Sequence, residues 1–149
     1  MIQLADEFFA AKHDPNQISV DETVVAHLQK IHPKTVSEEQ DENGPIAWML
    51  IIPTTYELME QFIEGELSEQ ELLTKTPLNA KYDALYLCSA LVLPEHRSKG
   101  LAKRMLSEAI SAIKNDHPLR ALFYWSFSFE GDRLVKSVAH ATNLPLFQR

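Results

Sequence analysis

The sequence predicts an α/β domain: a mixed, mostly antiparallel sheet of about five strands, flanked by helices and with a short C-terminal part. Three observations carry that expectation. The apolar segment Ala84–Leu93 reads as a strand buried on both faces. An amphipathic stretch with Leu101, Ala102, Met105, Leu106, Ala109, Ile110 and Ile113 on one side follows it. The aromatic, β-prone run Ala121–Phe129 comes next, so strand, helix and strand form a right-handed βαβ unit at the centre of the sheet. The chain has 149 residues, which suits one domain spanning 1–149.

The other elements are read in chain order. Ile2–Lys12 reads as a short amphipathic helix with Leu4, Phe8 and Phe9 on one side. Asp21 is an N-cap for a helix to about Ile31, whose stripe is Val24, Val25, Leu28 and Ile31. Lys34–Gln40 and Ile46–Ile52 form a hairpin around the turn Asp41-Glu42-Asn43-Gly44. Thr54 or Thr55 caps a helix bearing Tyr56, Met59, Phe62 and Ile63, Gly65 breaks it, and a further helical turn lies near Ser68–Thr74. His117-Pro118 ends the central helix. Asp132 caps the last helix to about Thr142, Asn143 stops it in a left-handed conformation, and Leu144–Phe147 closes the sheet.

Composition excludes several classes. The net charge of −7 argues against a general nucleic-acid binder. The apolar runs Pro45–Pro53 and Ala84–Pro94 fall short of the ~20 residues of a membrane span, and Asp6 and Glu7 interrupt the apolar stretch near Met1 that a signal peptide would need. One cysteine, Cys88, permits no intrachain disulfide, and the six histidines contain no i, i+4 pair. The expectation is a cytoplasmic protein without metal. Charge is unevenly distributed: 16 Asp/Glu against five Lys/Arg up to residue 83, and five against nine from residue 84 on. Solvated helix faces explain this, and so does a basic half receiving a polyanion beside an acidic half attracting a cation. Composition does not choose between the two.

The segment Leu91–Lys103 carries the chemistry. A buried strand ends at Pro94 and a polar loop runs straight into the amphipathic helix. Gly100 sits at the first helical turn, where the missing side chain allows close approach to the backbone. Free N–H groups there and the helix dipole make an anion site, with Lys99, Lys103 and Arg104 around it. A diphosphate suits this geometry. Other phosphate motifs fail: no G-x-x-x-x-G-K-[ST] is present, and Gly100 has no glycine companions to form G-x-G-x-x-G.

Val92, Pro94, Arg97, Gly100 and Ala102 fit V-x-P-x-x-[QR]-x-x-G-x-[GA], and the segment thereby resembles the GNAT family of acetyl-CoA-dependent N-acyltransferases. The likeness is sharpest over Leu85–Ile113 and extends loosely over about 33–147. It implies a GNAT-like fold and acetyl-CoA as cosubstrate. The amides of Ser98, Lys99, Gly100, Leu101, Ala102 and Lys103 would hold the diphosphate, Arg97 would occupy its place in the motif, and the backbone of Ala90, Leu91 and Val92 would pair with the pantetheine arm. It further implies that the central strand and the next splay apart, freeing the N–H of Leu91 or Val92 for an oxyanion. The implied reaction is acetyl transfer to a primary amine by direct attack in a ternary complex.

Catalytic side chains are harder to assign. The resemblance implies a tyrosine in N-x-x-A-x-x-x-Y-x-x-x-G-F, but the matching positions read Asp132, Val135, Ala139, Asn143 and Leu144. His140 is adjacent, yet successive helical residues point about 100° apart. Tyr124 is a second candidate acid, and Ser89 a candidate to orient water. Ser126 and Ser128 would share a face of the next strand, Cys88 reads as inert core, and Glu95 and His96 as solvated loop residues. Asp21 and Glu22 would reach an amine only if the N-terminal helices cover the cleft. The acidic segment Glu57–Glu71 would shape the acceptor side and favour polyamines, basic peptides or aminoglycoside-like amines. The missing tyrosine motivates a rival reading, a catalytically silent CoA-binding sensor or scaffold. Few residues come after the last helix, so the sheet is either smaller than usual or completed in a homodimer.

Overall fold

The computed structural model describes residues 21–97, 99–126 and 128–149. The helix expected at Ile2–Lys12 lies outside them. Five helices and five strands are present among the described residues: α1 (Glu22–Ile31), β1 (Val36–Asp41), β2 (Gly44–Thr54), α2 (Tyr56–Ile63), α3 (Glu69–Lys75), β3 (Ala84–Val92), α4 (Leu101–Asp116), β4 (Ala121–Tyr124), α5 (Phe129–Thr142) and β5 (Leu146–Gln148). A 3-10 turn at Pro94–His96 precedes α4.

The strands lie in sequence order in one mixed sheet. β1–β2 and β2–β3 are antiparallel, whereas β3–β4 and β4–β5 are parallel. The sheet is therefore evenly mixed rather than mostly antiparallel. The closing strand comes after α5 as a second crossover and runs alongside β4, so there are two parallel βαβ units instead of one.

Strand alternation sorts the side chains into two layers. Trp48, Leu50, Ile52, Tyr86 and Phe123 face α1, α2 and α3, while Met49, Ile51, Leu85, Leu122 and Tyr124 face α4 and α5. Helix α4 buries Met105, Leu106, Ala109, Ile110 and Ile113 on that second face, as its apolar spacing dictates.

One residue breaks the alternation. Leu50 pairs with Ser89 and Ile51 with Leu87, leaving Cys88 as an extra residue in β3. This bulge reverses the parity of the rest of the strand: Leu91 joins the α1–α3 layer and Val92 packs toward the α4–α5 layer.

Strand β4 is shorter than the aromatic run Ala121–Phe129 suggested. It ends at Tyr124 because the serines beyond it bond to α5 instead of to a sheet. Ser126 Oγ donates to Asp132 Oδ1 at 2.7 Å, and Ser128 Oγ accepts the Gly131 N–H at 3.0 Å. Ser128, not Asp132, is thus the N-cap, and the two serines do not lie on a strand. Asn143 does end the helix in the left-handed region, with φ 57°.

At the edge where β3 and β4 begin, His32 of the α1 C-cap meets the end of α4. His32 Nε2 bonds Asp116 Oδ2 at 2.7 Å while its Nδ1 accepts the Lys34 N–H at 3.0 Å. His117 Nδ1 accepts the Tyr82 N–H at 3.4 Å. Burial first, then the positive potential of His32 and Lys81, holds the His117 imidazole below its ordinary 6.5, with Asp116 opposing. The unfolded chain then takes up the proton more readily, so stability falls as pH drops below 6.5 toward the folded value. We predict that His117→Gln flattens this acid limb; circular dichroism melts across the pH range check it, and an unchanged slope would contradict the assignment.

Candidate functional site

Strands β3 and β4 are paired over only three residues, Ala84, Leu85 and Tyr86 against Ala121, Leu122 and Phe123. Beyond Tyr86, β3 continues for six residues to Val92, bonded to β2 on one side and, among the described residues, to no strand on the other. Strand β4 itself ends at Tyr124, one residue past its last pair, so the Leu87–Val92 flank of β3 has no strand beside it among the described residues. Backbone N–H and C=O groups of β3 that a longer β4 would have paired are directed to that side.

Helix α4 begins just beyond the end of that flank. The N-cap positions of α1, α2, α3 and α5 are filled by Asp21, Thr55, Ser68 and Ser128, each accepting a backbone N–H in the first turn. The N-cap of α4 is Gly100, which has no side chain to do so, and the amides of Leu101, Ala102 and Lys103 open the helix without a side-chain cap. Gly100 has φ 74° and is exposed; a Cβ there would meet nothing within 4 Å. Backbone conformation, rather than close approach of a neighbour within the chain, is what requires glycine here.

The loop is held in place from several sides. Leu93 N–H donates to the Ile46 carbonyl at 2.9 Å, and His96 Nε2 lies 3.3 Å from Asp41 Oδ2 on the hairpin turn. His96 is thus a structural contact of the loop. Arg97 Nε donates to the Val92 carbonyl at 2.9 Å, folding the side chain back on the end of β3. Arg104 is paired with Glu39 of β1 and with Glu108. Lys99 and Lys103 are exposed beside the turn. Ser98 lies outside the described residues. Ala90, Leu91 and Val92 all belong to the part of β3 that extends beyond its pairing with β4, with Ala90 exposed.

The three candidate catalytic side chains do not converge. Ser89 pairs with Leu50 and so faces the α1–α3 layer, where its hydroxyl lies 3.6 Å from Cys88 Sγ. Tyr124 faces the opposite layer; its hydroxyl donates to Gln148 Oε1 at 3.1 Å, and burial followed by the charge of Asp132 raises its pKa. His140 is exposed in the last turn of α5, about 16 Å of helix away from Phe129 and hence far from the end of β4 that α5 leaves. Asp21 is exposed, its carboxylate accepting the Val24 N–H at 2.9 Å.

A cluster that sequence reasoning missed lies at the Cys88 bulge, on the α1–α3 side. Glu69, 3% exposed, accepts hydrogen bonds from the Tyr86 hydroxyl and from Cys88 Sγ, the latter at 3.3 Å. The five other acidic residues of the Glu57–Glu71 segment are exposed. Burial, reinforced by Glu69, pushes the Tyr86 phenol well up, and burial with Glu69 does the same for Cys88. Both groups therefore keep their protons at neutral pH and donate to the carboxylate. Cys88 is no thiolate nucleophile, for this reason and not because its strand is apolar. Next to the cluster, the Arg149 guanidinium stacks on Trp125 and Phe62, 4.1 and 4.6 Å from the ring centroids.

Among the described residues, no group of three or more His, Cys, Asp or Glu side chains is gathered as metal ligands, and no helix is long and apolar enough to cross a membrane. The chain matches no protein-family model, no curated protein and no solved structure at a significant level.

Proposed function

We propose that the protein is an acyl-CoA-dependent N-acyltransferase of the GNAT type, transferring acetyl from acetyl-CoA to a primary amine. One observation carries this reading: β3 runs six residues past its last pair with β4, leaving that flank unpaired among the described residues, and the helix lacking a side-chain cap starts just beyond its end. Diphosphate oxygens would accept from the amides of Gly100, Leu101, Ala102 and Lys103, with Lys99 and Lys103 adding charge. Arg104, already paired with Glu39, would contribute little. The pantetheine arm would run along Ala90, Leu91 and Val92 in place of the absent strand, bringing the thioester to the bulge. There the neutral amine attacks the carbonyl carbon, a β3 N–H stabilises the oxyanion, and the C–S bond breaks as C–N forms. The proton lost by nitrogen balances the one gained by the CoA thiolate.

The second reading is a catalytically silent CoA-binding sensor. It is favoured by the separation of Ser89 from Tyr124, which face opposite layers of the sheet, so the candidate side chains do not act together. Acetyl-CoA at a hundredfold excess over its dissociation constant should stabilise the fold by about 2.7 kcal/mol under either reading. Release of free thiol with a panel of amines separates them. Absence of any thermal shift would sink both.

A further inference from the structure

Resting on that reading, a cation cradle beside the end of β4 identifies the acceptor. The Arg149 guanidinium lies across two aromatic faces, Trp125 and Phe62, and its Nη1 donates to the Leu67 carbonyl at 2.8 Å. Gly65 borders it, a Cβ there coming 4.0 Å from Nη2. The positive charge is close enough to act on the Tyr86 phenol, which also donates to the buried Glu69 carboxylate. Ring faces and a carbonyl acceptor are what a guanidinium or ammonium group selects.

The cradle's position ties it to the reaction. Trp125 is the first residue beyond β4, and Cys88, bonded to Glu69, is the bulge in β3. The cradle thus opens on the α1–α3 face, whereas α4 packs on the other. An anionic cosubstrate and a cationic acceptor would approach the same flank of β3 from opposite sides. The Arg149 backbone is tied down separately from its side chain: its N–H donates to the Tyr124 carbonyl at 2.9 Å, next to the three-residue strand β5. The guanidinium can therefore leave without disturbing the sheet.

We propose that this cradle is the acceptor site, that it takes acceptors bearing a second cationic group of the guanidinium or ammonium class, and that Arg149 is a resident competitor which must swing out. The test uses agmatine, an amine with a distal guanidinium, against pentylamine, which lacks one. By calorimetry, Arg149→Ala should bind agmatine at least about tenfold more tightly than wild type, with no comparable gain for pentylamine. Arg149→Gln should behave likewise and serves if the alanine variant does not fold. Equal agmatine affinity for wild type and a folded Arg149 variant overturns the proposal, as does an equal gain for pentylamine. Binding requires no acetyl transfer, so the expected agmatine gain without thiol release from acetyl-CoA would uphold the cradle and overturn the acyltransferase reading instead.

Discussion

Gly100→Glu is expected to lower affinity for acetyl-CoA by at least about tenfold, roughly 1.4 kcal/mol, while the fold survives. Two effects must be separated. Any L-residue at φ 74° is strained by about 1–2 kcal/mol, and nothing lies within 4 Å of the new Cβ to add a clash. Gly100→Ala carries that strain without charge, and Gly100→Asn, which tolerates the left-handed region, carries little of it. A carboxylate at the N-cap competes for the very amides that a diphosphate would use and repels it besides. Alanine should therefore cost stability and little binding, and glutamate both binding and stability. Equal affinity for the alanine and glutamate variants, measured by calorimetry, would show that charge at this turn is irrelevant.

Glu69→Ala is the second large effect, and it falls on stability. Removing the carboxylate strips the buried Tyr86 hydroxyl of its acceptor, a loss of about 1–3 kcal/mol before the void left by the side chain is counted. Total stability of a domain this size is about 5–15 kcal/mol, so the melting temperature should drop by several degrees. Tyr86→Phe leaves Glu69 without the same bond. Because the two share it, the double variant should be less destabilised than the sum of the singles. Additive losses in urea denaturation would mean that the short contact contributes nothing specific.

The parts of this molecule that were legible in the sequence are those governed by one repeating period. The helical stripe from Leu101 to Ile113, the cap at Asp21, the helix start at Thr54 or Thr55, the 41–44 turn and the strand–loop–helix passage around Gly100 all derive from local pattern. The errors arise where local pattern is ambiguous or broken. Cys88 shifts the parity of β3 by one residue with no compositional mark, so Ser89 and Tyr124 could not be seen to lie on opposite faces. The run ALFYWSFSF looks like strand throughout, yet Ser126 and Ser128 act on α5. Glu69 sits in an acidic segment that otherwise faces solvent, and only tertiary packing reveals that this one carboxylate turns inward. Arg149 follows β5, whose parallel pairing of Gln148 with Tyr124 brings it level with Trp125, a strand direction that local pattern does not encode.

The most direct test of the anion site is an amide-resolved NMR titration with acetyl-CoA. The N–H resonances of Leu101, Ala102 and Lys103 should move furthest, together with those of Ala90, Leu91 and Val92, as the cosubstrate saturates. Saturating binding that leaves the Leu101–Lys103 amides unmoved, or no binding at millimolar acetyl-CoA, would contradict it.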